Sequence, residues 1–373
     1  MITFPCVIKT WKLGLNRLFI LAIALYILAL PIWVMTNQEI ILSKELGNLF
    51  RIIYFFSVLF YFCQYKNLFS IEVLIKYVVL SAFIISCVNL LCFVLDIGIK
   101  SYGENFGFGT KAFYSDGNSL GLYMILSTCL SVWYAFYRKK CVYVLITIVI
   151  SIGSMLIGSR ASIVGVLASW GGLLLYFLLF NDRIVHNSKI TKVLILLVGG
   201  GGIIYILYSI FQFIASFDAY TMDRFRLSSA LSPRESLLTI SEQIIHEYDF
   251  VEVLFGKSFS GGLSAVGKLY SSSLELKSVE ADFNDTILSY GWFFGCVMLL
   301  LQLLIFSKLV CSYFKDSTSI SFVLLLVGIL WLGASYMAGH GFNNTMLAPL
   351  LSVFYILSDR IVNNYYDFNQ YKQ

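Results

Sequence analysis

Charge is what this 373-residue sequence has least of. Asp, Glu, Lys and Arg make up 13% of it, against 59% hydrophobic and 17% aromatic residues. So few charges cannot clothe a soluble domain of this length, which excludes a soluble globular protein and leaves a polytopic membrane protein. Also missing is any cluster of basic residues with interleaved aromatics, so the net charge of +5 does not point to nucleic acid. The eight cysteines (Cys6, Cys63, Cys87, Cys92, Cys129, Cys141, Cys296, Cys311) include no Cys-x-x-Cys pair. They fall in apolar runs or in segments read below as cytoplasmic, and neither a disulfide nor a structural zinc is expected. The basic N-terminus (Lys9, Lys12, Arg17) is not followed by a small-residue cleavage site, so residues 18 to 35 read as a retained first helix. No nucleotide-binding loop and no fixed-period repeat occurs.

What is present is a series of apolar runs. A crossing needs about 20 apolar residues, and about ten runs approach that length: 18–36, 48–63, 77–95, 119–137, 141–158, 161–180, 193–215, 286–307, 320–338 and 344–358. The second and last are short, and the seventh holds Gly199 to Gly202, which permits close packing or breaks the helix. With the N-terminus inside, every second connection is cytoplasmic. These carry Lys66 and Lys76, then Arg138 to Lys140, then Arg183, Lys189 and Lys192, then Lys308 and Lys315, then Arg360 and Lys372. The short connections on the other side hold only Lys44, Lys100, Lys111 and Arg160, the asymmetry expected of cytoplasmic loops. The expected fold is therefore all-α: residues 1–373 as a single integral membrane domain of about ten transmembrane helices, with 216–285 as one large extracytoplasmic loop. Within that loop, residues 232–245 predict a helix with Pro233 near its start. The Gly- and Ser-rich stretch 258–273 predicts a flexible coil.

The unusual polar residues collect on the outer side. Arg160 sits in a tight turn after Gly158 and Ser159, where the positive-inside rule gives it no reason to be. It either snorkels to the outer headgroups or offers its planar fork to a phosphate. Arg234 begins the loop helix, with Arg224 and Arg226 upstream; these are a solvated face or further anion contacts. Glu280, Asp282 and Asp285 precede the eighth span. Asp282 and Asp285 fit an Asp-x-x-Asp capping box, whereas Glu280 is left unexplained by capping and is a candidate general base. His340, one of three histidines, lies between Gly339 and Gly341, either as an interfacial residue or within reach of substrate.

These elements resemble the Wzy-type O-antigen polymerases, in the superfamily that also holds the O-antigen ligases. The resemblance spans roughly residues 105 to 345. It rests on Phe113-Tyr114-Ser115-Asp116-Gly117-Asn118-Ser119-Leu120, similar to the family's Phe-x-Asp-Pro-Asn element with Gly117 in place of Pro. It rests also on Gly158-Ser159-Arg160, on Arg160 and Gly171 with ten residues between them, on Arg234 followed by Leu254-Phe255-Gly256, and on Gly339-His340-Gly341. At the place where ligases carry a His-Asn pair, counted back from Gly291, this sequence has Glu280, a polymerase-like pattern. The resemblance implies a GT-C-like fold and a reaction on the outer face of the bacterial cytoplasmic membrane. There a glycan on undecaprenyl diphosphate is moved onto the next lipid-linked repeat unit to build O-antigen or capsular polysaccharide. Implied catalytic residues are Glu280, Asp282 and His340, with Arg160, Arg234 and Arg226 on the diphosphate and Asp116, Asn118 and Asp285 as further substrate contacts. No cofactor and no metal is implied. The partners are the lipid-linked oligosaccharide, membrane lipids and a chain-length regulator, which leaves no mark in the sequence. A ligase is the nearest alternative. A lipid-linked oligosaccharide flippase is the alternative of another class, and it would place charges near the bilayer midplane, where these runs have almost none apart from a shallow Arg51.

Overall fold

A computed structural model describes residues 14–36, 40–101, 109–180, 227–271, 276–316, 318–337 and 339–362. Among them all regular structure is helical, apart from one isolated bridge between Lys100 and Thr110. The helices are α1 (Gly14–Thr36), α2 (Leu42–Gln64), a 3-10 turn (Lys66–Leu68), α3 (Ile71–Val94), α4 (Gly117–Arg138), α5 (Cys141–Met155) and α6 (Arg160–Phe180). They continue with α7 (Leu227–His246), α8 (Phe250–Phe255), α9 (Phe259–Ser271), α10 (Asp282–Lys315), α11 (Ser319–Met337) and α12 (Ala348–Val362). Six of these, α1 to α4, α10 and α11, are long and apolar enough to cross a membrane, and α5 and α6 contain shorter apolar stretches. Large apolar side chains such as Ile27, Phe50, Leu80 and Leu91 are exposed along them, as lipid-facing positions should be and as a soluble surface would not tolerate. The protein is a multi-pass membrane protein.

Nine of the ten apolar runs fall on described helices. The seventh, with Gly199 to Gly202, lies outside the described residues. The second is longer than its hydropathy implies, because α2 extends back through polar Ser43, Lys44 and Glu45. That extension is stabilised by a buried use of Glu45, whose hydroxyl and amide donors come from Tyr26 (3.1 Å), Phe259 (3.2 Å) and Ser260 (2.6 Å). The same bonds correct the expectation of a coil over 258–273. Residues 259–271 form α9, with its first amides capped by Glu45 and by Ser258 Oγ, which accepts from Gly261 N at 3.1 Å. Glycine and serine lower helix propensity in isolation, yet here Ser260, Gly261, Gly262, Ser264 and Gly267 are buried. Their small size lets α9 lie close to its neighbours, and tertiary packing outweighs propensity. The loop helix also starts earlier than expected, at Leu227, so Pro233 is inside α7 and not at its first turn.

The chain divides into two compact units. One comprises residues 1–69, 231–309 and 331–360. At one end of it Lys66 and Lys308 both pair with Asp359, at 2.6 and 2.8 Å, and Arg360 donates to the carbonyls of Lys66 and Phe69. In its middle Tyr26, Trp33, Tyr290 and Phe294 form an aromatic cluster, with Tyr26 and Trp33 edge to face at 5.4 Å. The other unit comprises 70–230, 310–330 and 361–373. Its helices α3 to α6 approach closely at small residues: a side-chain carbon on Gly153 would overlap Ser86, and one on Gly165 would overlap Ile125. Buried hydroxyls bridge them, Ser131 to Thr147 at 2.7 Å and Trp170 Nε1 to Ser151 at 2.9 Å, the small-residue and polar packing that serves where lipid removes the hydrophobic drive.

Candidate active site

The polar residues of the first unit gather where α10 begins. Helix α10 is broken at Gly291, whose φ of +70° and ψ of −175° are non-helical. Residue 291 faces the carbonyls of Glu252 and Val253 and the amide of Gly256 (φ +68°), with no room for a side-chain carbon. Two bare glycine backbones therefore cross there. The break frees carbonyls at the end of the first segment, and other groups satisfy them: Lys257 N–H donates to Leu288 O at 3.0 Å and Tyr248 Oη to the same oxygen at 2.9 Å. Beyond the break, Trp292 to Lys315 alone reaches about 36 Å at 1.5 Å per residue, enough to cross.

The short segment before Gly291 belongs with α7 and α9. Leu237 and Ile244 of α7, Val266 of α9 and Val279, Ala281 and Leu288 form one buried apolar cluster. Asn284 Nδ2 donates to Ser241 Oγ of α7 at 2.9 Å. Asp282 and Asp285 thus stand outside the spanning part of α10.

Their carboxylates do not form the expected capping box. Asp285 Oδ1 accepts from Val279 N–H at 2.9 Å, reaching back past the start of the helix. Asp282 Oδ2 accepts from Gly341 N–H at 2.8 Å and from Phe342 N–H at 2.9 Å, in the turn that follows α11. The reason is geometric: that turn brings two parallel amides to a buried carboxylate, and charged acceptors make the stronger bonds. Asp282 is 8% exposed. Burial raises the pKa of Asp282, opposed by those two amides and by His340. Burial likewise pushes Asp285 up to about 7; the Val279 amide opposes this, Asp282 adds to it and His340 opposes it.

The backbone around them is strained. Glu280 has φ +60°, His340 +62° and Asn343 +53°, left-handed conformations that cost a residue with a Cβ about 1–2 kcal/mol. Gly339 (φ +66°) lies against Glu280 so closely that a side-chain carbon there would be 2.8 Å from the Glu280 carbonyl carbon. The turn is held by several ties. Trp331 Nε1 donates to Gly341 O at 3.0 Å, Asn344 Nδ2 to His340 O at 2.7 Å and Gln302 Nε2 to Asn343 Oδ1 at 2.9 Å. Left-handed residues persist where the surrounding structure over-determines them in this way.

No family model matches the chain. None of the curated proteins compared with it matches either.

Of the residues singled out in the sequence, Glu280, Asp282, Asp285 and His340 are therefore brought together in the first unit. Arg234 is on α7, one turn before Leu237 of the shared apolar cluster; Arg226 lies outside the described residues. Asp116, Asn118 and Arg160 belong to the second unit. Asp116 caps α4, accepting from Asn118 N–H at 3.0 Å and from the Ser119 hydroxyl. Arg160 opens α6. The start of α6 lies beside α4, since a side-chain carbon on Gly121 would meet Ser162 and Ser159. The preceding turn is tied to the 99–112 segment by Thr110 N–H to Leu156 O at 2.8 Å and Ser101 Oγ to Ile157 O at 2.6 Å. The sequence does not single out Asn284, Ser241 or Glu45. Only Glu45 carries a signal, a carboxylate at the edge of an apolar run. Among the described residues no three His, Cys, Asp or Glu side chains converge with the geometry of a metal site.

Proposed function

We propose that this protein is a Wzy-type polysaccharide polymerase, a membrane glycosyltransferase. It joins undecaprenyl-diphosphate-linked oligosaccharide repeat units into O-antigen or capsular polysaccharide on the outer face of the bacterial cytoplasmic membrane. In this reading the chain crosses about ten times in a GT-C-like arrangement, and 216–285 is a large outer loop whose helices cover the site. The observation that carries it is the close packing of the Glu280 backbone against Gly339, the residue before His340, with both Glu280 and His340 left-handed.

Glu280 is half-buried and acts as the general base on the acceptor sugar hydroxyl. The hydroxyl oxygen forms the new bond to the anomeric carbon of the donor glycan while the bond from that carbon to the diphosphate oxygen breaks. The proton passes to Glu280 and the electron pair leaves with undecaprenyl diphosphate. Arg234 supplies positive charge that this leaving group needs as it develops; Arg160 and Arg226 are candidates for the diphosphate from the sequence alone. His340, adjacent to both aspartates electrostatically, orients the acceptor. Asp285 is a further polar group for the sugars; Asp116 and Asn118 are candidates from the sequence alone. A chain-length regulator is a candidate partner.

The test is the purified protein in detergent with lipid-linked repeat units and no membrane to cross. Longer glycans and released undecaprenyl diphosphate are expected. Unchanged substrate in the presence of folded protein removes the reading, and a flippase would give that result.

A further inference from the structure

We infer that Asp282 is the positioning residue of this site, holding His340 and Glu280 in place, and that it does not itself touch substrate. The inference rests on the polymerase reading for its kinetic arm and on the geometry alone for its structural arm. Both bonds to Asp282 come from consecutive amides of one turn, at 2.8 and 2.9 Å on the single oxygen Oδ2. A side-chain carbon on Gly341 would have no room, its place being taken by Ser335 and Asp282. The carboxylate is thus packed against the turn and buried, whereas a base needs an oxygen open to the acceptor hydroxyl. Glu280, two residues earlier, is half-buried.

The clamp also explains how the strain persists. His340 and Asn343 are left-handed on the two sides of the amides that Asp282 holds, and Glu280 is left-handed against Gly339. Each of these conformations relaxes unless several ties oppose it. Of the ties to the 339–343 turn, those from Trp331, Gln302 and Asn344 come from helices α10 and α11 or from the turn itself. Asp282 ties the turn to the stretch of chain that carries Glu280, beside the direct packing of Gly339 on Glu280. Two charge-assisted bonds from one buried carboxylate set the distance between the candidate base and the histidine.

The experiment compares Asp282→Asn with Asp282→Ala in the purified, detergent-solubilised full chain, by amide hydrogen exchange over 339–344 and by the kinetics of chain growth. An asparagine carbonyl oxygen can accept both amides, so Asp282→Asn is expected to keep most of the exchange protection and a measurable chain-growth rate, reduced about tenfold for the loss of charge. Asp282→Ala is expected to lose that protection and to lower kcat about a hundredfold or more with little change in KM, because misplaced groups damage the reaction step. Partial rescue by Asn is what a positioning role predicts. If Asp282→Asn keeps protection yet is as inactive as Asp282→Ala, Asp282 acts chemically and the inference fails. It fails equally if Asp282→Ala leaves exchange over 339–344 unchanged. Should the wild type show no chain growth while folded, the polymerase reading falls and the exchange comparison alone still decides the clamp. If the alanine variant does not fold, exchange and growth of the asparagine variant decide.

Discussion

Two helices of this protein open on an Asp-x-Asn pattern and use it differently. Helix α4 opens on Gly117-Asn118-Ser119 behind its cap Asp116, and α10 begins with Asp282-Phe283-Asn284-Asp285. At α4 the aspartate bonds within its own turn, to Asn118 and Ser119. At α10 Asp282 reaches the turn after α11, Asn284 reaches Ser241 on α7, and Asp285 reaches back to Val279. The first set of bonds stabilises one helix end; the second assembles a site from three parts of the chain. Residue type alone does not distinguish an aspartate that caps from one that builds. What distinguishes them is whether a neighbouring backbone arrives to compete.

Substitutions at the two ends separate these roles. The largest effect is expected for Gly339→Ala, which places a carbon 2.8 Å from the Glu280 carbonyl carbon at φ +66°. It should cost about 2–4 kcal/mol, read as a lowered unfolding temperature in detergent; a shift within error would show that the two backbones can separate freely. The next concerns pH. Asp285 is raised in the folded state to about 7, well above the ordinary aspartate value near 3.9. Its contribution to stability is full below about pH 4 and is lost as pH rises through about 7. The stability of wild type relative to Asp285→Asn should therefore fall between pH 5 and pH 8, and a pH-independent difference would mean that Asp285 titrates normally. Asp116→Ala should cost about 1 kcal/mol, the usual worth of an N-cap, with no effect on exchange over 339–344. Least of all, Gly117→Ala meets only Lys111 Cδ at 3.6 Å, and a change within about 0.5 kcal/mol is expected. A large loss there would make the two helix starts more alike than their bonds suggest.

Much of the membrane architecture is legible in the sequence because hydropathy over a window needs no partner to be read. Nine of the ten apolar runs meet described helices, and the basic residues Lys66, Lys308 and Arg360 gather around Asp359 and the Lys66 carbonyl at one end of their unit. Glu280, Asp282 and Asp285 stand out because carboxylates beside an apolar run are expensive, and His340 because glycines flank it. The partners of these groups are not legible. Nothing local indicates that Asp282 prefers the amides of Gly341 and Phe342 to those of its own helix. Residues 258–273 read as coil because their propensity is poor, yet 259–271 are helical because Glu45, on a distant element, caps them and their small side chains are buried. The break at Gly291 is likewise set by Gly256 crossing it. In each case the deciding interaction is long-range, where propensity is silent.

The most direct test of the account is chain growth by purified Glu280→Gln. The account predicts a folded protein that still binds lipid-linked repeat units and extends them at least about a hundredfold more slowly than wild type, the loss expected when a general base is removed. Extension at the wild-type rate would contradict it and remove Glu280 from the chemistry.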